Sequence, residues 1–134
     1  MANQAVAKDP IYTSAFSNVA AGGHDVVAYF DRRRAVEGND RYTTEWRGAV
    51  WKFSSSYNLA KFKADPEAFA PQYGGYCAWA MARGSFAKGD PDHWKVVDGK
   101  LYLNYNADIQ NRWEQDIPGF IDRADGQWSQ KTFD

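Results

Sequence analysis

Short apolar runs alternate with turn residues along most of the chain. Asp25-Val-Val-Ala-Tyr-Phe30 is β-branched and aromatic, and is read as a short buried strand. Tyr42–Trp46 and Ala49–Phe53 flank Arg47-Gly48 and predict a hairpin, with Ala49, Trp51 and Phe53 on one face of its second arm. Trp94–Val97 and Leu101–Tyr105 surround Asp98-Gly99, a strong local hairpin signal. Ser54-Ser-Ser56 supplies N-cap candidates for a helix through Ala64, with Leu59 and Phe62 inward. Asp65-Pro66 restarts a short helix that Pro71 ends. A further short helix over Cys77–Arg83 stops at Gly84, and Asn106 caps another carrying Ile109 and Trp113. Asp116-Ile-Pro118 opens the last, with Phe120, Ile121, Ala124 and Trp128 at helical spacing. These elements predict a small single α+β domain: two β-hairpins, an extra strand and four to five short helices. Residues 1–20 carry little pattern and read as an N-terminal arm, 21–130 as the domain and 131–134 as a tail. No internal repeat stands out.

The chain has 134 residues, with six Trp, eight Tyr and eight Phe. Such side chains bury roughly 150–250 Å² each, so a compact core is within reach. A formal net charge of −1 gives no general attraction to nucleic acid or anionic lipid. The run Arg32-Arg33-Arg34 reads as a solvated turn. Nothing approaches the ~20 apolar residues of a membrane span. The first ten residues lack the charged and apolar regions of a secretory signal. This leaves open a cytoplasmic protein or an exported one whose signal has been removed.

Candidate chemistry gathers at Pro71-Gln-Tyr-Gly-Gly-Tyr-Cys-Ala-Trp-Ala-Met81, which holds the single cysteine. One cysteine excludes an internal disulfide and a zinc site of the CxxC…CxxC kind. Met81 lies four residues after Cys77, on the same helix face. Cys77, Met81 and His24 offer a thiolate, a thioether and an imidazole, a set that suits copper. Read plainly, Cys77 and Met81 are core residues and His24 sits in a turn after Gly22-Gly23. A second class of reading is a pocket for a small molecule or a protein partner, lined by Tyr73, Tyr76, Trp79, Trp94, Tyr102 and Tyr105. Catalysis is not expected. His93 falls in an exposed turn, a Cys77–His24 nucleophile pair lacks a recognisable orienting group, and no nucleotide-binding pattern is present.

Six strings in order resemble the YHS-domain proteins, specifically the small stand-alone bacterial kind: Gly23–Phe30, Phe53–Ser56, Ala64–Glu67, Ala70–Ala78, Val97–Asn106 and Asp116–Gly119. The resemblance spans about residues 11–130. It implies an α+β domain of the YHS/TRASH type, export to the periplasm and a cysteine-centred soft-metal site, with copper the leading cofactor. Cys77 stands on the matching motif. His24 and Met81 stand where relatives more often carry other residues, so their metal role rests on ligand chemistry alone. Tyr73, Gly74, Gly75, Tyr76 and Trp79 would shape and shield the site. With so few soft ligands in one chain, a homodimer sharing one site is a further arrangement.

Overall fold

A computed structural model describes residues 9–133; residues 1–8 of the expected arm and Asp134 of the expected tail lie outside the described residues. Two antiparallel two-stranded sheets carry the architecture: β1 (Asn39–Trp46) with β2 (Ala49–Phe53), and β3 (Asp90–Val97) with β4 (Lys100–Asn104). Each hairpin closes on two residues of positive φ, Arg47-Gly48 and Asp98-Gly99. That geometry matches the twist of the flanking strands and accounts for glycine at the second position.

Six short helices surround the hairpins: α1 (Ala28–Asp31), α2 (Ser56–Ala64), α3 (Pro66–Phe69), α4 (Ala78–Ala82), α5 (Ala107–Glu114) and α6 (Ile117–Ser129). Three starts follow the expected capping. Ser55 Oγ accepts from Asn58 N, Asn106 Oδ1 from Ile109 N and Asp116 Oδ1 from Gly119 N. Asp65 takes the N-cap position of α3 without a side-chain bond, leaving Pro66 at the first turn to set the start. The expected strand at Asp25–Phe30 is instead the turn leading into α1. Val26, Val27, Ala28 and Tyr29 are all buried, and a short run buried on all sides has no periodicity to separate strand from helix. His93, expected in a turn, lies half-buried within β3.

The two hairpins belong to two copies of one backbone unit. In the first ladder Asn39 pairs with Phe53 and Thr43 with Lys52; in the second Asp90 pairs with Asn104 and Trp94 with Leu103, every member 51 positions on. The irregularity after Asn39 recurs after Asp90. Turns and caps keep the same spacing: Arg47 and Asp98, Ser55 and Asn106, Asp65 and Asp116. Ahead of each hairpin a 3₁₀ turn, Ala20–Gly23 or Gln72–Gly75, contains two left-handed residues, Ala21-Gly22 or Tyr73-Gly74. An isolated antiparallel bridge then follows, His24 with Glu37 or Tyr76 with Lys88. Two main-chain bonds also correspond, Asp25 N to Val36 O and Cys77 N to Ala87 O, both 2.8 Å. The spacing is 52 before α1 and α4 and 51 after them, so the second copy is one residue shorter there.

Each copy has its own apolar centre. Trp51, Phe53 and Phe62 anchor the first, where the Phe53 and Phe62 rings lie 5.0 Å apart. Tyr102, Trp113 and Met81 anchor the second. Leu101 and Leu103 of β4 reach into the first centre and join the copies as one domain. The segment Asp9–Tyr12 straps the second copy, where Tyr12 N donates to Gly74 O at 2.8 Å and a Cβ on Gly74 would overlap the Pro10 carbonyl oxygen, while Ile11 is buried in the first apolar centre.

The first copy turns on Asp25, which is fully buried. Its Oδ1 accepts from Val27 N (2.9 Å) and Ala28 N (3.2 Å). Its Oδ2 accepts from Ser54 N (2.8 Å), Ser54 Oγ (2.6 Å) and Asn58 Nδ2 (2.9 Å). One carboxylate thereby starts α1, holds the end of β2 and orients α2. Asp25→Ala would leave several buried donors without an acceptor, each costing about 1–3 kcal/mol. We expect a loss of at least about 3 kcal/mol in urea unfolding, against about 0.5 kcal/mol or less for the exposed Asp122→Ala.

Candidate functional site

Cys77 lies at the N-cap of α4, immediately after the Gly74-Gly75 turn, and is 1 % exposed. Its Sγ stands 3.5 Å from Asn104 Oδ1, which also accepts from Trp79 N at 3.0 Å. Burial pushes the thiol pKa above its ordinary value, while the main-chain N–H groups of Ala80, Tyr105 and Trp79 face the sulfur and act the other way.

The internal duplication explains that environment. Cys77 is the counterpart of Asp25, Trp79 and Ala80 are the counterparts of Val27 and Ala28, and Tyr105 is that of Ser54. The main-chain donors that bind the Asp25 carboxylate in the first copy therefore surround a sulfur in the second. Asn104 Oδ1 holds the amide of Trp79, as Asp25 Oδ1 holds that of Val27. A thiol and a neighbouring amide oxygen together stand in for two carboxylate oxygens. Two side-chain donors in this copy have no hydrogen-bond partner, Asn104 Nδ2 and Trp113 Nε1, and both residues are fully buried. Their counterparts are Phe53 and Phe62, whose tilted rings pack together in the first centre.

Met81 is fully buried in the second apolar centre, with Tyr73, Tyr102 and Trp113. Its counterpart is the buried Tyr29 of the first copy. His24 belongs to the first copy and is the counterpart of Tyr76; its Nδ1 is buried without a hydrogen-bond partner. With Cys77 and Met81 both enclosed, the three side chains present no shared accessible point. Among the described residues no group of three or more His, Cys, Asp and Glu side chains is placed to hold a metal ion. Asn104, which lies against the thiol, falls within the Val97–Asn106 string of the resemblance, but nothing local in the sequence ties it to Cys77.

The aromatic set divides among different surroundings. Tyr73 donates to Asp125 Oδ1 at 2.8 Å, and burial with that carboxylate raises its pKa far above the usual tyrosine value. Trp79 is half-buried beneath the Arg83 guanidinium, 4.8 Å away. Tyr76 donates to Asp9 O at 2.8 Å and packs against Tyr12 and Phe86, with centroids 5.5 and 4.9 Å away. Burial, then the Asp9 charge, push its pKa up to about 12. These rings, with Asp9, Thr13, Ala87 and Lys88, line an open groove of about 360 Å³ between the strap and the segment before β3. Gly75 does not line the groove; its carbonyl lies against Gly89.

No protein-family model, curated protein or solved structure matches the chain. No described helix is long and apolar enough to cross a membrane.

The tyrosines set an alkaline limit on the fold. Tyr73 and Tyr29 are raised by burial, and Tyr76 and Tyr102 to about 12, above the ordinary value of 10.0. The folded state thus holds these protons more tightly than the unfolded chain, and stability is lost as pH rises above about 10. Urea midpoints measured from pH ~8 to ~12 should fall steadily over the upper part of that range. Tyr73→Phe should start lower and fall less steeply.

Proposed function

We propose that this chain is a non-catalytic binding module of the YHS type in which Cys77 is a structural residue. The observation that carries the reading is the place of Cys77 in the duplication: it occupies the position of the Asp25 hub, beside the counterparts of that hub's main-chain donors. The ligand, a small molecule or a segment of a protein partner, sits in the groove beside Tyr12, Tyr76, Phe86 and Lys88. The aromatic faces favour a flat ring, with the Lys88 ammonium and the Asp9 carboxylate both available to its polar groups. Export to the periplasm belongs to the same reading and is supported by the family resemblance alone. Benzoate and indole-3-acetate titrated into ¹⁵N-labelled protein should shift the amides of Tyr12, Tyr76, Phe86 and Lys88 together. Phe86→Ala should weaken that response several-fold. Shifts scattered over the surface, unchanged by the substitution, would remove the groove from consideration.

One observation favours a second reading, a soft-metal protein with copper on the Cys77 thiolate and Met81 and His24 as further ligands. Burial raises the thiol pKa, but main-chain hydrogen bonding from Ala80, Tyr105 and Trp79 acts against it and favours the thiolate, the form that binds metal. Binding would require α4 to open, since both sulfur residues are enclosed. A Cu(I) titration against a competing chelator separates the readings, using wild type, Cys77→Ser, Met81→Leu and His24→Phe. Weak, equal binding by all four proteins is expected for a structural cysteine. Stoichiometric binding lost in Cys77→Ser would establish the metal site.

A further inference from the structure

We propose that Cys77 is an oxidation site whose sulfinate form takes, in the second copy of the unit, the place of the Asp25 carboxylate in the first. A cysteine sulfinate carries two oxygens and one negative charge on the atom after Cβ, as an aspartate does. The surroundings of Cys77 are rich in donors. The Trp79 amide, held at 3.0 Å by the Asn104 Oδ1 that lies beside the sulfur, is the counterpart of the Val27 amide bound by Asp25, and Asn104, fully buried, has an Nδ2 without an acceptor. In the first copy the equivalent donors, completed by Ser54 Oγ and Asn58 Nδ2, hold a carboxylate with five bonds. The neutral thiol acts as a donor, S–H to Asn104 Oδ1 at 3.5 Å, and offers the surrounding N–H groups only a weak acceptor. As a sulfinate, one oxygen takes the Trp79 amide now held by Asn104 Oδ1, and Asn104 Nδ2 donates to the other.

The oxidant is hydrogen peroxide. The thiolate attacks one peroxide oxygen, the O–O bond breaks, and sulfenic acid and hydroxide form. A second peroxide converts the sulfenate to sulfinate and releases water. Each step removes two electrons from sulfur and reduces one peroxide. With a single cysteine in the chain, no internal thiol diverts the sulfenate into a disulfide. Enclosure and the raised thiol pKa make the reaction slow at neutral pH and faster as pH rises.

The test oxidises the full-length protein with millimolar peroxide at pH ~7 and ~9 and follows the peptide containing Cys77 by mass spectrometry. The expected product gains two oxygens, about 32 Da, on Cys77 itself, several-fold faster at the higher pH. The oxidised protein should keep its near-ultraviolet circular dichroism and melt no lower than the reduced form. Cys77→Asp supplies the anion without oxidation and should melt several degrees above the equally sized, neutral Cys77→Asn. The proposal is overturned if Cys77 stays reduced, if its oxidised form unfolds, or if Cys77→Asn is the more stable variant.

Discussion

Buried main-chain donors need acceptors, and this domain meets that demand with one side chain at the same point in each of two copies. After a left-handed turn the chain enters a helix of four or five residues, whose first N–H groups, like those of any helix, have no partner within it. Asp25 supplies the acceptors in the first copy and also secures Ser54 and Asn58, so a single carboxylate ties α1, β2 and α2 together. Its buried charge is tolerable because each oxygen accepts two or three hydrogen bonds. In the second copy the same place falls to Cys77 and Asn104. The thiol is a weaker hydrogen-bonding group, and the apolar packing of Met81, Tyr102 and Trp113 assumes more of the stabilisation.

That exchange bears on chemistry. A soft-metal site needs several lone pairs converging on one accessible point. Around Cys77 the structure directs N–H groups at the sulfur, and the nearest side-chain oxygen already serves Trp79. Donor-rich surroundings suit an anion better than a cation, and a cation would enter only as the partner of a thiolate. The exposed chemistry lies nearby, where the strap from Asp9 to Tyr12 and the Phe86–Lys88 segment face one another across Tyr76.

Much of the architecture was legible from local signals. Asp98-Gly99 and Arg47-Gly48 marked both hairpins, and Ser55, Asn106 and Asp116 marked helix starts, because turns and caps are decided by a few adjacent residues. Asp25–Phe30 forms a turn and helix where its sequence suggests a strand, because a short apolar run enclosed on every side looks alike as either. The duplication is faint in the sequence because the two copies share few side chains and their spacing changes from 52 to 51 at α1 and α4. The signal it left was in glycines: Gly22-Gly23, Gly38 and Gly48 are answered by Gly74-Gly75, Gly89 and Gly99. These are turn positions or close backbone approaches, as at Gly38 and Gly89, where an added Cβ would meet Lys52 or Gly75.

By itself, then, the sequence determined the α+β class, both hairpins, the helix caps and the prominence of Cys77, since each depends on neighbours within a few positions. Only the tertiary structure decided what surrounds the thiol. It placed Asn104 and Tyr105, far along the chain, against Cys77, enclosed Met81 among aromatic rings, and left His24 in the other copy at the position that Tyr76 holds in the second. Burial, donor direction and access to solvent depend on residues distant in sequence, and those three properties govern what a lone cysteine can do.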